Sequence, residues 1–248
     1  MHFQSQTEFI CRTDPASFTL LVPYTHLSDS LTGLEYKVYN LPPALLTAPY
    51  FRERFYEPVF DSSQVIVLHQ TVVGYFDVYE HWLLTGELLF TGEVSEAKTA
   101  GPTKQQAKTG YDRLLSCCSL ACILGDNVFL DALITQLIQT LRLVNTFQSQ
   151  FIRLLTHDRV EKMIAESGVH SGFFKLVAHA YARFATVDEI RVLAFSNYNV
   201  YFQSQVMQSM ASMRIHQHMD GNEANGFVVG LCHYHTYDFY EACTQRRK

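Results

Sequence analysis

The densest set of ligand-type side chains lies late in the chain, where Cys232-His233-Tyr234-His235 is followed by Cys243. Zinc takes four nitrogen or sulfur ligands in a tetrahedron. Cys232, His233 or His235, and Cys243 supply three, and His216 or His218 supplies a fourth. The spacing is irregular and no second close cysteine pair accompanies it. The residues therefore favour a packed or frayed aromatic tail over a metal site. Cys118 and Cys122, four apart, share one helix face, as a metal or redox pair would. Leu114, Leu115, Leu120 and Leu124 surround them. Free cysteine in such company packs as a small hydrophobe, and apolar burial keeps its thiol protonated and inert. The carboxylate pair Asp188-Glu189 stands at a helix start, where the cap and the dipole account for it.

Other chemistry is sparse. The chain has no glycine-rich phosphate cradle of the Gly-x-Gly-x-x-Gly or Gly-x4-Gly-Lys-Ser/Thr kind, no Gly-x-Ser-x-Gly elbow and no His-Glu-x-x-His. His26, His69, His81, His157, His170 and His179 are scattered and expected at surfaces or element edges. Nothing places a nucleophile beside a base. An enzyme is not expected, and neither is a cofactor. The alternative, a zinc-binding protein or an unrecognised enzyme, would have only the Cys/His tail with Asp112 or Asp126 to work with.

Composition narrows the field. The 248 residues carry 19 basic and 24 acidic side chains, a formal charge of −5, with 48% hydrophobic and 17% charged residues. Such a chain folds rather than staying disordered, and one of this length buries roughly 70% of its unfolded surface. Basic residues cluster only at Arg246-Arg247-Lys248, so the counterion-releasing stripe of a nucleic-acid binder is missing. Apolar runs such as Ser119 to Leu124 fall far short of the ~20 residues a bilayer needs. Met1 to Gln6 has no basic region leading into an apolar stretch, so no secretory signal is expected. Six cysteines, three of them crowded at 117, 118 and 122, suit reduced thiols inside the cell, in cytoplasm or nucleus.

Patterning supplies the elements that would position these residues. Phe18 to Val22, closed by Pro23, reads as a strand, as do Tyr36 to Tyr39 and Gln64 to Leu68. Thr25 to Gly33 reads as a turn-rich connection. Pro42-Pro43 opens a short helix over 43–47, and Tyr50 to Tyr56 restarts it after Pro49. Val72, Phe76, Tyr79 and Leu83 mark one face of a helix from 72 to 84, with Thr71 at its N-cap and Gly86 ending it. Residues 93–110 lose apolar content and read as a mobile loop. Tyr111 to Leu124 and Val128 to Leu143 form a helical hairpin broken at Gly125-Asp126-Asn127. The rest is helical. Asp158 caps a helix to Glu166, Phe174, Val177, Tyr181 and Phe184 share a face over 171–184, and Thr186 with Glu189 makes a capping box for a stretch running to Met213. Asp220 to Glu223 is a turn. The tetrapeptide Phe-Gln-Ser-Gln recurs at Phe3, Phe147 and Phe202, at unequal intervals that exclude a solenoid.

In this order the residues resemble the BTB/POZ family, specifically its diverged fungal members. Tyr36-Lys37-Val38-Tyr39 through Ala48-Pro49-Tyr50-Phe51 is similar to the family's "F-x-V-H-K … S-P-Y-F" segment. Phe76 with Trp82-Leu83-Leu84-Thr85-Gly86-Glu87-Leu88 resembles its "F-x-x-F-x-x-W-L-Y-T-G-x-L" helix end, and Leu120-Ala121, Leu124-Gly125 and Phe129-Leu130 its "L-A-x-x-L-G-x-x-x-L" hairpin. Tyr39 replaces a His, Ala48 a Ser and Leu84 a Tyr. The tail from Cys232 to Tyr237 is similar to a Cys-x-Tyr-His-x-His stretch of such proteins, with Tyr237 for the second His.

The resemblance implies an α+β fold: a BTB/POZ-like small sheet of three or more strands flanked by a helical cluster, then an all-helical C-terminal extension. Residues 1–16 are then an N-terminal arm, 17–143 the BTB/POZ-like domain with its mobile insertion at 93–110, and 144–248 a helical region ending in the Cys/His tail. The Trp82 segment should lie buried against the coils that carry Cys118 and Leu133. The implied function is non-enzymatic: a protein–protein interaction module, an adaptor or homodimer, recruited to a cullin-type ubiquitin-ligase scaffold or to transcriptional assemblies, with no nucleic-acid or membrane partner. Cullin-adaptor members carry an apolar-x-Glu after the first helix. Phe55-Tyr56-Glu57 has that pattern, and Val59-Phe60-Asp61 has the register with the shorter acid. These six residues are the interface candidates.

Overall fold

Strand β1, Phe18–Pro23, lies at the centre of a three-stranded sheet of order β2–β1–β3. It runs antiparallel to β2, Tyr36–Leu41, with Leu20 opposite Tyr39 and Val22 opposite Lys37. It runs parallel to β3, Val65–Val67, with Leu20 opposite Ile66. The computed structural model describes residues 18–24, 35–56, 65–68, 71, 73–89, 103–143, 148–220 and 234. The fold is mixed α and β and mostly helical.

The chain divides into two compact units, 1–87 and 88–248. In the first, a 3-10 turn at Pro43–Leu45 precedes α1, Pro49–Tyr56. Pro49 opens α1 rather than interrupting a longer helix, because a proline at the first helical position forfeits no hydrogen bond. Helix α2, Val73–Thr85, buries Phe76, Val78 and Tyr79, and Gly86 ends it in the left-handed conformation at φ 72°. Trp82 is half-buried rather than enclosed. It lies a full turn beyond Tyr79, where the helix leaves the sheet-facing core and Leu84 is exposed.

The second unit is helical. Helix α3, Lys104–Leu124, and α4, Asn127–Leu143, form the expected hairpin. Gly125 turns it at φ 67°, a conformation that costs a residue with a Cβ about 1–2 kcal/mol, and Asp126 caps α4 by accepting from the Phe129 N–H. Leu114, Cys117, Cys118, Ala121 and Leu124 are buried on α3, and Leu130, Leu133, Leu137 and Leu141 on α4.

The expectation of a loop over 93–110 is corrected from residue 103 onward; 93–102 lie outside the described residues. Thr103 and Gln106 form a reciprocal capping box, with Thr103 N donating to Gln106 Oε1 at 2.8 Å. The first turns that follow, Lys104-Gln105-Gln106-Ala107-Lys108, are strong helix formers whose polarity mimics a loop.

Next come α5, Gln148–Leu154, α6, His157–Ser167, and α7, Gly172–Phe184. Thr156, not Asp158, caps α6, because its hydroxyl accepts from Arg159 N. Asp158 is the second residue of α6, in its first turn, where it favours the dipole without capping. The capping box of Thr186 and Glu189 is present, yet the helix it opens, α8, ends at Phe195. A break at 196–199 separates it from α9, Val200–Asp220. Asn199 explains the break, since its side chain accepts from Tyr201 N and starts a new helix. Phe202 is the hub here, with Phe174, Tyr181 and Tyr198 rings within 6.2 Å of it.

The repeated tetrapeptide has a shared role in its two described copies. Gln148 Nε2 donates to the Leu141 carbonyl at 2.9 Å, in the last turn of α4. Gln203 Nε2 donates to Leu193 O at 2.8 Å and Ser196 O at 3.3 Å, at the end of α8. Both glutamines sit early in one helix and satisfy carbonyls that the end of the preceding helix leaves without a partner. Phe3 and the first connection, 25–33, lie outside the described residues, as does the turn after Asp220.

Candidate functional site

The period-two register of β2 places Lys37 and Tyr39 on one face of the sheet, and α2 lies across that face. Tyr39 meets Phe76 edge-on at 4.6 Å, and Phe76 meets Tyr79 at 5.7 Å. At the rim of this apolar contact, Asp77 accepts from the Tyr39 hydroxyl at 2.5 Å and pairs with Lys37 Nζ at 2.7 Å. The Lys37 ammonium also lies 4.6 Å from the Tyr39 ring centre. Burial, followed by the bond to Asp77, pushes the Tyr39 phenol well above its ordinary pKa. The Asp77 hydrogen bond raises Lys37, and burial raises Glu80 one turn along. A phenol pushed up is a poorer proton donor, and Asp77 is committed to Lys37 and Tyr39. The cluster is a clasp between strand and helix.

The second unit has its own clasp. Arg159 of α6 forks onto α3, donating to Asp112 Oδ1 at 2.5 Å, Ser116 Oγ at 3.0 Å and the Asp112 carbonyl at 3.3 Å. Asp112, a candidate acid, is thus committed to an ion pair, and Asp126 to a cap. The thiols of Cys117, Cys118 and Cys122 are free. Burial pushes Cys117 and Cys122 up to about 12 and Cys118 well upward. Cys117 and Cys118 pack as core, as their leucine-rich surroundings imply, whereas Cys122 is only partly buried.

Among the described residues, no three His, Cys, Asp or Glu side chains gather as a metal site. Cys232, His233, His235 and Cys243 lie outside the described residues, as do Glu57, Val59, Phe60 and Asp61. Phe55 and Tyr56 are the last two positions of α1.

The feature that sequence reasoning missed is a surface. Large apolar side chains stand in water along α8 and the first turns of α9: Val187, Val192, Phe195, Val200, Tyr201 and Met207. Phe195 is 87% exposed. Single exposed apolar residues are ordinary, but six on consecutive helices are not. No local pattern announces it, because hydrophobic side chains are expected in a core and only the assembled helices leave these outside.

Compared with family models, curated proteins and solved structures, the chain matches none. Among the described residues, no helix is long and apolar enough to cross a membrane.

Proposed function

We propose that this chain is a non-enzymatic protein–protein interaction module of the BTB/POZ-like kind, an adaptor or oligomerisation protein that works inside the cell. One observation carries the reading: the apolar side chains of α8 and α9 that water surrounds, with Phe195 the most exposed. Side chains of this type, gathered on consecutive elements, are what a partner protein covers. The edges of the small sheet, β2 and β3 among the described residues, offer a second docking mode through strand addition. Free thiols at Cys117, Cys118 and Cys122 support a reducing compartment. Recruitment to a cullin-type scaffold is the finer form of the proposal, supported by the sequence Phe55-Tyr56-Glu57, whose first two residues end α1.

The test substitutes Phe195→Asp together with Val200→Asp in the full chain. Both side chains are exposed, so folding changes by only about 0.5 kcal/mol. Partner recovery by affinity capture, or self-association in sedimentation at micromolar concentration, should fall at least tenfold, while Lys108→Asp leaves both unchanged. Equal recovery and equal sedimentation by the double variant defeats the surface. Turnover of a small molecule by pure protein defeats the reading as a whole. For the finer form, Glu57→Lys should abolish binding to an isolated cullin scaffold; a scaffold that ignores the unaltered chain removes it.

A further inference from the structure

Helix α8 is nine residues long, about 13.5 Å end to end, and shows one side to water. Val187, Asp188, Arg191, Val192 and Phe195 fall within about 140° of its circumference, and all five are exposed. Leu193, on the opposite side, is buried. The face holds one acid and one base. Asp188 and Arg191 touch at 3.3 Å within the helix, yet their side chains remain 89% and 66% exposed, so each has room for a second partner. Glu189, between them in sequence, is taken up by the Thr186 cap. These five residues therefore carry no net charge, on a chain whose formal charge is −5.

We infer that this face pairs with the same face of a second copy of the chain, antiparallel, about a twofold axis level with the midpoint between Glu189 and Ile190. The pairing rests on the reading of the α8–α9 surface as a docking face and names its occupant. The charges select a second copy. In a twofold pairing, if residue i meets j, then j meets i, so a face that fits itself needs an acid and a base placed symmetrically about the axis. Asp188 and Arg191 lie one and a half residues to either side of that midpoint. Asp188 then shares a layer with the partner's Arg191, and Arg191 with the partner's Asp188. Val187 lies level with the partner's Val192, and Phe195 overhangs the N-terminal end of the partner helix. A partner of uniform charge, acidic or basic, would set one of the two side chains against its own sign. With one acid and one base on the face, no other antiparallel register brings unlike charges level. The pairing lies in the helical extension, outside residues 17–143. A helix this short covers far less than the roughly 800 Å² per partner of a standard interface, so the dimer is weak, reversible and populated by rising concentration.

Sedimentation of the full chain is the test. The unaltered protein should pass from monomer to dimer between micromolar and hundreds of micromolar. Asp188→Arg and Arg191→Asp each set like charges level across the axis, and each should weaken the dimer at least tenfold. Mixed in equal amounts, the two variants should regain it as a heterodimer, because every facing pair is then opposite in sign. A chain that fails to fold cannot show that rescue. An unaltered chain that stays monomeric throughout overturns the pairing, as does a mixture that stays monomeric although both variants unfold at the unaltered temperature. Should either variant unfold early, hydrogen exchange on the unaltered chain decides. Exchange over 187–195 should slow at least twofold across that concentration range, while exchange over 157–167 stays constant; equal rates at both ends overturn the pairing. If the unaltered chain is monomeric and Phe195→Asp with Val200→Asp still lowers capture of another protein, the second copy falls and the docking face stands. If that capture is unchanged too, both fall.

Discussion

In the unit that ends at Glu87, the fasteners join residues far apart in the chain. Lys37 and Asp77 are 40 positions apart, and Leu20 lies between Tyr39 and Ile66 in the sheet. In the unit that follows, many fasteners close within four residues: Thr103 with Gln106, Thr156 with Arg159, Ser171 with Phe174, Thr186 with Glu189. The sheet unit is therefore specified by which segments meet, and the helical unit by where each helix starts and stops. Local closure costs little chain entropy, whereas a strand pair forms only after a loop has closed.

The contrast is sharpest at the aromatic hubs. Phe202 of α9 is fully buried among the rings of Phe174 and Tyr181 from α7 and Tyr198 from the break before α9. Phe202→Ala should cost about 3–5 kcal/mol through lost burial and the cavity left behind. If the units unfold separately, urea titration followed by hydrogen exchange should show α7 and α9 opening first while β1 and β2 keep their protection. Equal loss of protection in both units would break the comparison.

Alkaline pH acts on the helical unit through its buried thiols. The folded Cys117 and Cys122 thiols titrate near 12 and the unfolded ones near 9. The folded state holds more protons between those values, so stability is fully present below about pH 9 and is lost as pH rises toward 12. A rise from about 9 to about 12 on the Cys117 thiol corresponds to about 4 kcal/mol at the upper end. Cys117→Ala should flatten that decline in a pH series of thermal unfolding. An unchanged slope would mean that the thiol ionises without unfolding the helices.

The same contrast explains what could be read from sequence. The strands, α2, the α3–α4 hairpin and the Thr186 box carry period or cap signals inside short windows, and each is found. The start of α3 was obscured because Lys104 to Lys108 are polar helix formers without an apolar stripe, and polarity alone reads as loop. The break after Phe195 was obscured because Asn199 bonds its own neighbourhood, a choice that periodicity does not register. Asp77 gave no sign of being the partner of Lys37 and Tyr39, because no local pattern reports a contact across 40 residues. The exposed α8–α9 side chains were hidden for a related reason: hydrophobic residues are assigned to the core by default, and burial is a property of the assembled helices.

The smallest predicted effects compare one polar fastener from each unit. Gln203 is partly buried and satisfies two carbonyls at the end of α8, so Gln203→Ala leaves acceptors with reduced access to water. The expected loss is about 1 kcal/mol, and Gln203→Glu should cost more, because a carboxylate cannot donate and sits against the negative end of the helix dipole. The Lys37–Asp77 pair is more than a third exposed on both sides, so water and salt screen it. Lys37→Met should therefore change stability by less than about 1 kcal/mol, an effect that shrinks further in molar salt. Because the bond to Asp77 raises Lys37, its contribution is present below pH 10.5 and fades as pH climbs through the folded value. Chemical denaturation of the three variants at low and high salt ranks them. A Lys37→Met loss that exceeds that of Gln203→Glu would reverse the comparison and make the strand–helix clasp the stronger fastener.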